Sequence, residues 1–230
     1  MNIEIENIKK RYDVRSKHNY NLLYDPLNPS VYMSQQELER KLLKLFNNIQ
    51  LQPLCQKKVL EVGCGTGTNL LKFIKYGFSP ENLTGNELLH DRIEKAKKIL
   101  PNSVKLLKGD ASKLELEPGS FDIVFQSTVF TSILDNNLKQ NLASKMWELL
   151  KPGGYILWYD FVYNNPKNND VKGISIKKIK ELFPEGISNF SKITLAPPIN
   201  RIFTNFNPSF YYFFNSFPLL RTHVLGTIQK

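Results

Sequence analysis

The sequence predicts an α/β fold in which a mainly parallel sheet is covered by helices on both faces. Strand and helix patterns alternate between residues 59 and 159, which is typical of βαβ units and a parallel sheet. A glycine-rich loop, Gly63–Gly67, joins the first of these strands to a helical pattern. The last helix of the series ends at Lys151-Pro152-Gly153-Gly154, a Pro/Gly stop.

Residues 1–56, which precede the first strand, are expected to form an N-terminal helical segment. Ser34 with Glu37 three residues later has the pattern of a capping box, so we expect a helix to begin at Ser34. Apolar residues then recur at helical spacing and Pro53 closes the region. These apolar residues are Leu38, Leu42, Leu45 and Ile49.

Five short apolar runs and three amphipathic stretches make up the alternating part. Each run is four to five residues long and is flanked by glycine, proline or polar residues, which favours buried strands. The strands are expected at 59–62, 83–86, 104–107, 121–125 and 155–159, and the helices at 68–76, 91–100 and 138–150.

The C-terminal part has a different composition. It is expected to contain a short basic helix at 175–183 and strands at 192–195 and 222–228. Between these strands lies an aromatic insertion, at about 197–221, that is too long for a simple hairpin loop. Its rings require burial against a core, a substrate or a lipid surface.

Composition and charge narrow the function classes. A chain of 230 residues with 41% hydrophobic residues is long enough for one α/β domain with a substantial core. No apolar stretch approaches the ~20 residues that cross a bilayer, and the acidic start of the chain does not resemble a signal peptide. We therefore expect a cytoplasmic protein that is a monomer or a homodimer.

The formal charge of +10 is compatible with an anionic partner. However, lysines and arginines are scattered along the helical patterns, often beside acids, which is typical of solvated helix faces. We expect no DNA partner, and solubility explains the charge better than RNA binding does.

The glycine loop Gly63-Cys64-Gly65-Thr66-Gly67 indicates a nucleotide site at the carboxyl edge of the sheet. Glycine allows a ligand to lie against the main chain, and the helix behind the loop offers unpaired N–H groups. The spacing fits neither the dinucleotide fingerprint nor the phosphate-binding loop. Cys64 is expected to serve there as a small residue that fits, not as a nucleophile.

Polar residues follow the next strand ends in order. Glu87 lies at the end of the second strand, where a carboxylate can accept two ribose hydroxyls at once. Asp110 and Ala111 end the third strand, where a carboxylate and a backbone N–H can meet an adenine ring. Gln126 ends the fourth strand. Ligands of α/β folds bind at this edge of the sheet.

These motifs, together with Phe121-Asp122-Ile123-Val124 and the stop at Lys151–Gly154, resemble the class I S-adenosylmethionine-dependent methyltransferases. The resemblance covers about residues 59–159. It implies a Rossmann-like sheet of seven mainly parallel strands with an antiparallel last strand, formed by residues 57–230 and covered by residues 1–56 as a lid. The one departure is Asn86-Glu87, where aspartate commonly follows an apolar residue.

The resemblance also implies the residues that bind S-adenosylmethionine. The glycine loop would pack on the methionine part and the ribose, and Glu61 would help to hold the methionine amino group. Glu87 with Leu88 would bind the ribose, and Gln126 would approach the methionine end. The full set comprises Glu61, Gly63, Cys64, Gly65, Gly67, Glu87, Leu88, Asp110, Ala111 and Gln126. Glu61, Asp110 and Gln126 also have a purely structural alternative, as caps or strand-end residues.

Catalytic and substrate residues carry a weaker signal, and no metal ion is expected. His18 lies in the segment expected to cover the cofactor, and Tyr163 follows the fifth strand; either is a candidate to touch the reacting groups. Asn164 and Arg201 are candidates to bind substrate. All four residue types are more often simple loop residues.

The sequence thus predicts a methyltransferase acting on a small molecule, most plausibly on a hydroxyl of a sugar or another pathway intermediate. The fourth strand is followed by Gln126-Ser127-Thr128-Val129, not by the Asn/Asp-Pro-Pro-Tyr of enzymes that methylate exocyclic amines. Three alternatives remain: an RNA methyltransferase that uses the basic surface, a methyltransferase of a quinone or lipid-linked precursor in peripheral contact with a membrane, and a non-catalytic binding protein.

Overall fold

A seven-stranded sheet in the order β3-β2-β1-β4-β5-β7-β6 forms the centre of the computed structural model, which describes residues 3–17, 25–166 and 168–230. The strands are β1 (Val59–Val62), β2 (Leu83–Glu87), β3 (Lys105–Lys108), β4 (Phe121–Ser127), β5 (Leu150–Phe161), β6 (Ile187–Leu195) and β7 (Arg221–Gln229). Strands β1 to β5 pair in parallel, whereas β7 is antiparallel to both of its neighbours. This confirms the predicted fold class.

Eight α-helices surround the sheet in the part of the chain that the structure describes. They are α1 (Ile3–Lys17), α2 (Pro29–Asn48), α3 (Thr68–Lys75), α4 (His90–Ile99), α5 (Asn136–Leu149), α6 (Ile176–Leu182), α7 (Pro197–Phe206) and α8 (Phe210–Asn215). None of the helices in these described ranges is long and apolar enough to cross a membrane.

Two hydrophobic cores lie on opposite faces of the sheet, because successive residues of a strand point to opposite sides. Along β4, Val124 contributes to the core shared with α5 and α6, whereas Ile123 and Phe125 contribute to the core shared with α2, α3 and α4. All three side chains are fully buried. The helices therefore cover both faces, as the sequence predicts.

The start of α2 differs from the prediction of a capping box at Ser34. The helix begins five residues earlier, at Pro29, and the Asn28 side chain accepts a hydrogen bond from the Ser30 N–H at 3.0 Å. Asparagine is a strong N-cap residue and proline suits the first helical position, so the helix begins at Asn28-Pro29 and not at the capping-box pattern of Ser34 and Glu37. Ser34 lies inside the helix, where its hydroxyl donates to the Ser30 carbonyl.

Strands β5 and β6 are longer than predicted. Strand β5 begins at Leu150, which pairs with Phe121 before an irregularity in the register, so the Pro/Gly stop lies within the strand. Strand β6 begins at Ile187, and its first six residues are exposed or half-buried. Such a segment has no apolar run, which is why the sequence pattern indicated only its buried end, 192–195.

The aromatic insertion is helical, which the sequence pattern did not indicate. It forms α7, α8 and a short 3-10 turn, Pro218–Leu220. Pro197 and Pro198 occupy the first turn of α7, where proline is tolerated because the N–H groups there have no intrahelical partner. Helix α7 then packs against α2 on the side of the sheet away from α5.

Candidate cofactor site

A cavity of about 130 Å³ lies at the carboxyl ends of the first four strands. The strand order reverses between β1 and β4, and ligands of open α/β sheets bind at such a switch point. The paired residues Val62 and Asn86, and Val62 and Gln126, bring these strand ends to one level. The lining includes Val62, Gly63, Glu87, Leu88, Gly109, Asp110, Ala111, Ser127, Thr128 and Val129, with Ile5, Ile8 and Tyr12 of α1.

The glycines of the loop have different roles. Gly63 has a φ of +64° and lines the cavity, and a Cβ atom added there would lie 2.5 Å from Val129 Cγ2. Gly67 has a φ of +85°, and its added Cβ would lie 2.7 Å from Leu100 Cδ1, so Gly67 allows α3 to approach α4. Gly63 therefore allows the Val129 side chain to approach the loop closely at the edge of the cavity.

Glu87 connects the glycine loop to the start of α4. Its Oε2 accepts from the Gly65 N–H and its Oε1 from the Leu89 N–H, both at 2.9 Å. The Arg92 guanidinium lies 3.9 Å from Oε2. An ionised carboxylate offers about four lone-pair positions, so two remain for a ligand that fills the cavity.

Glu61 is the most unusual ionisable group of the site. It is 1% exposed, its Oε1 accepts from Asn69 Nδ2 at 2.7 Å, and its Oε2 has no hydrogen-bond partner. Burial raises the pKa of Glu61 to about 8; the Asn69 hydrogen bond opposes this shift, and the charge of Glu87 adds to it. A buried oxygen without a partner is costly, so this geometry is suited to a cationic or hydrogen-bonding ligand.

Asp110 and Ala111 form the wall after β3. Asp110 Oδ1 accepts from the Ser112 N–H and hydroxyl and thereby caps the short turn Ala111–Lys113. Asn86, which sequence reasoning quoted without assigning it a role, donates to the carbonyls of Leu107 and Gly109 and fixes this wall. Asp110 itself lines the cavity.

Five predicted cofactor residues do not line the cavity: Glu61, Cys64, Gly65, Gly67 and Gln126. Gln126 is fully buried, and its side chain accepts from the Val129 N–H and donates to the Tyr159 carbonyl. It thus shapes the loop after β4. Cys64 is also buried, and burial raises the pKa of its thiol well above the usual range, which disfavours the nucleophilic thiolate. Its placement agrees with the expected role as a small residue that fits.

Three of the four candidate catalytic and substrate residues lie in the described ranges, and these three do not line the cavity. His18 lies outside the described residues. Tyr163 is exposed, and its hydroxyl accepts from Lys192 Nζ at 2.6 Å. Asn164 accepts from the Gly173 N–H, and Arg201 lies exposed on α7. Their proposed contacts with substrate or with the reacting groups remain predictions.

Helix α1 closes the cavity with residues that sequence reasoning did not single out. The Tyr12 ring lies between two guanidinium groups, with Arg92 at 4.6 Å and Arg15 at 5.1 Å from its centroid. Arg11 donates to the Ser132 carbonyl at 3.0 Å, and Glu4 accepts from the Leu134 N–H at 2.8 Å. These partners are some 120 or more residues apart in sequence, so no local pattern predicts the contacts.

A second missed feature is Thr128, which lines the cavity directly after β4. It has a φ of +57°, which is an outlier for a β-branched residue. Its hydroxyl donates to the Ser127 carbonyl at 2.7 Å. Strained backbone of this kind concentrates at ligand sites, but the residue type alone gives no sequence signal.

These features fit S-adenosylmethionine. The unpartnered oxygen of Glu61 suits the cationic methionine amino group, and the free lone pairs of Glu87 suit the ribose hydroxyls. The backbone of Gly63 lines the cavity without a side chain. The wall of Asp110 and Ala111 suits a flat ring with an exocyclic amine.

Comparison with known proteins agrees with this fit. Residues 59–154 match the sequence model of a family described as a methyltransferase domain. The chain is 29% identical over 144 residues to a sterol 24-C-methyltransferase of Gibberella zeae, which covers 60% of this chain and 36% of that protein. It is also 29% identical over 136 residues to the demethylmenaquinone methyltransferase of Staphylococcus aureus, with 58% and 54% covered. The chain thus spans about a third to a half of the length of these relatives.

Solved structures share the fold. A SAM-dependent methyltransferase from Archaeoglobus fulgidus superposes with a TM-score of 0.62 at 16% identity, covering 92% of this chain and all of that one. A possible histamine N-methyltransferase from Thermotoga maritima gives 0.59 at 17% identity, covering 97% and 99%. The family match, the fold and the cavity agree: residues 59–154 of this chain match a methyltransferase domain, and the chain has the fold of SAM-dependent methyltransferases of known structure.

Proposed function

We propose that this protein transfers the methyl group of S-adenosylmethionine to a small-molecule acceptor. The observation that carries the proposal is the convergence of Gly63, Glu87 and Asp110 on one cavity at the switch point of the sheet. The small-molecule relatives, among them the sterol and demethylmenaquinone methyltransferases, support the acceptor class.

The residues of the site would divide the binding work. When bound, S-adenosylmethionine supplies a methyl group that is already activated by its sulfonium charge. In our proposal Glu61 binds the amino group, Glu87 accepts from the ribose hydroxyls, and Asp110 and Ala111 bind the adenine. The protein then accelerates transfer mainly by aligning the acceptor and excluding water, which can contribute up to ~7–11 kcal/mol of the barrier.

For the acceptor atom we propose a hydroxyl, as on a sugar or another pathway intermediate. The sequence Gln126–Val129 lacks the motif of enzymes that methylate the exocyclic amines of bases or a glutamine amide. One of the relatives is a malonyl-[acyl-carrier protein] O-methyltransferase of Bacteroides fragilis, 25% identical over 169 residues. A hydroxyl acceptor loses a proton on transfer and needs a base.

A second candidate is an apolar acceptor such as a quinone precursor. The cavity lining favours it, because many aliphatic side chains contribute to the walls, among them Ile5, Ile8, Ile133, Leu138 and Leu142. Apolar walls favour an apolar ligand, since its burial releases ordered water.

Calorimetric titration with S-adenosylhomocysteine tests the cofactor assignment. We expect Glu87→Gln and Asp110→Asn to weaken binding about tenfold each, the effect of about 1.4 kcal/mol for a lost charged hydrogen bond. Glu94→Gln is the matched control, because Glu94 lies on α4 but outside the cavity lining and pairs with Lys97 at the surface. Unchanged binding in both site variants would disprove the assignment.

Acceptor class is tested by following S-adenosylhomocysteine formation with two fractions of a cell extract. A water-soluble fraction that supports turnover favours the hydroxyl proposal, whereas activity only with the solvent-extracted fraction favours the apolar acceptor. Turnover with purified RNA, together with RNA affinity that falls steeply with salt, would instead indicate the RNA alternative.

A further inference from the structure

Helices α7 and α8 present a large apolar surface to solvent. We call it the phenylalanine face and define it as Ile202, Phe203, Phe206, Phe213, Phe217 and Leu219. Phe206 is 84% exposed, Phe213 59% and Leu219 88%. The rings contact one another, since Phe206 packs on Phe210, Phe210 on Phe203, and Phe213 on Phe217. A contiguous exposed patch of this kind marks an interaction site.

The polarity of these two helices is the reverse of an ordinary surface helix. The residues of α7 that are buried are Asn200 and Thr204, and the buried residue of α8 is Tyr211. Asn200 Nδ2 donates to the Ser30 carbonyl at 2.8 Å, and the Thr204 hydroxyl donates to Asn200 Oδ1 at 2.6 Å. Polar groups therefore point inward and phenylalanines outward.

The inward hydrogen bonds fix this orientation. The Tyr211 hydroxyl donates to Glu37 Oε2, and Asn215 Nδ2 donates to Glu37 Oε1, which attaches α8 to the buried side of α2. A rotation that buried the phenylalanines would leave these donors and acceptors without partners, at about 1–3 kcal/mol each. The inward hydrogen bonds of α7 and α8 therefore keep the phenylalanine face exposed.

The charges of the C-terminal segment that carries the face have one sign. Residues 186–230 contain no aspartate or glutamate, whereas Arg201 lies exposed on α7. The Arg40 guanidinium of α2 lies 5.7 Å from the centroid of the Tyr212 ring, which is itself 54% exposed. Phenylalanine with flanking arginine is the composition of helices that lie in a membrane interface.

We propose that the phenylalanine face docks the protein on the surface of an anionic lipid bilayer. Phe206, Phe213 and Phe217 would enter the boundary between headgroups and acyl chains, and Arg40 and Arg201 would contact lipid phosphates. A second copy of the chain suits the face less well. A twofold interface brings the same surface to itself, so the arginines would meet arginines with no carboxylate from residues 186–230 between them.

Co-sedimentation of the full chain with vesicles tests the proposal independently of methyl transfer. We expect binding to vesicles of phosphatidylcholine mixed with phosphatidylglycerol, and weaker binding to phosphatidylcholine alone. Phe206→Ser and Phe213→Ser should each weaken binding about tenfold, since each removes an aromatic ring from the buried area. Arg40→Gln should weaken it about fivefold, and only for the anionic vesicles.

The matched control is Ile187→Ser, because Ile187 is 76% exposed but lies at the start of β6 and outside the face. We expect it to bind vesicles like the unmodified protein. Three results would overturn the proposal: no binding to anionic vesicles, equal loss in Ile187→Ser, or a dimer in sedimentation velocity that Phe206→Ser dissociates. Because the replaced side chains are exposed, an unchanged unfolding midpoint will confirm that the variants fold.

Discussion

Two buried glutamates, in different regions of the molecule, have opposite surroundings. Glu37 on α2 is 4% exposed, and its two oxygens accept from Tyr211, Asn215 and the Thr194 N–H at 2.5–2.9 Å. Glu61 on β1, next to the cavity-lining Val62, is 1% exposed, accepts one hydrogen bond from Asn69, and has no partner for Oε2 among the described residues. The first carboxylate is fully satisfied by the protein itself, whereas the second is not.

The difference separates a structural carboxylate from a ligand-binding one. Every donor to Glu37 comes from an element packed around it, so Glu37 joins α2, β6 and α8 into one unit. In our proposal the ligand supplies the partner that Glu61 Oε2 lacks among the described residues, and burial raises the pKa of Glu61 to about 8. Glu37 and Glu61 are both buried, and they are distinguished by the number of hydrogen bonds that each carboxylate accepts.

The largest expected effect is on Glu37. We expect Glu37→Leu to lower the free energy of unfolding by about 4 kcal/mol, because three buried donors would lose their acceptor at about 1–3 kcal/mol each. Urea denaturation measures this loss. Glu39→Leu is the control, since Glu39 is a half-buried partner of Lys72 and its removal should cost less than about 1 kcal/mol. Equal losses in the two variants would contradict the structural role of Glu37.

The next effect is the pH dependence that Glu61 causes. Its pKa is raised to about 8 in the folded state, so the folded protein binds a proton that the unfolded chain releases. The stabilisation is complete below the unfolded pKa and is lost as the pH rises through the folded one. From about pH 5 to pH 8 the unmodified protein should therefore lose up to about 4 kcal/mol relative to Glu61→Gln.

A cationic ligand should favour the ionised form of Glu61, whereas burial without a ligand favours the protonated form. Calorimetry at neutral pH in buffers of different ionisation enthalpy should show release of about one proton when S-adenosylhomocysteine binds the unmodified protein, and none with Glu61→Gln. Parallel pH profiles of unfolding for the two proteins would show that Glu61 does not titrate in this range.

A smaller effect is expected at one of the donors to Glu37. Tyr211→Phe keeps the buried ring but removes the hydroxyl that donates to Glu37 Oε2, which should cost about 2 kcal/mol. In the background of Glu37→Leu the same change should cost little, because the acceptor is already absent. A double-mutant cycle of unfolding free energies measures this coupling, and additive losses would contradict it.

The smallest effect is expected at Asn69. Asn69→Ala removes the hydrogen bond that stabilises the ionised form of Glu61. The pKa of Glu61 should therefore rise further, because the carboxylate loses about 1 kcal/mol of stabilisation. A carbon-13 NMR titration of the Glu61 carboxyl group measures the shift. Asn82→Ala removes an exposed hydrogen bond from the Asn82 side-chain amide to the Cys55 carbonyl, and it should leave the titration of Glu61 unchanged.

Much of the core between residues 59 and 159 could be predicted from sequence. Strands β1 and β4 are largely buried on both faces, so they appear as short, mainly apolar runs between glycine, proline and polar residues. All four residues of β1 and all five of β2 are buried, and both strands lie where the pattern indicated them. The order of Gly63, Glu87 and Asp110 along the chain then sufficed to place them at one cavity.

The remainder depends on contacts that no local pattern carries. Helix α7 could not be predicted from its apolar residues, because Phe206 is exposed and Asn200 is buried. The partner of Glu37 on β6, Thr194, is 157 residues away, and Glu37 suggested only a capping role. Tyr163 contacts Lys192 on β6 and does not line the cavity. The position of Tyr163 just after β5 in the sequence does not indicate this contact.

The contacts of α1 have a kinetic consequence. The cavity of about 130 Å³ is smaller than the ~300–1,000 Å³ of typical small-molecule sites, and Ile5, Ile8 and Tyr12 form part of its wall. The Glu4 and Arg11 hydrogen bonds to residues 132–134 must break before the helix can move aside. We expect the observed rate of ligand association to reach a plateau at high ligand concentration, because the opening of α1 then becomes the rate-limiting step in place of diffusion.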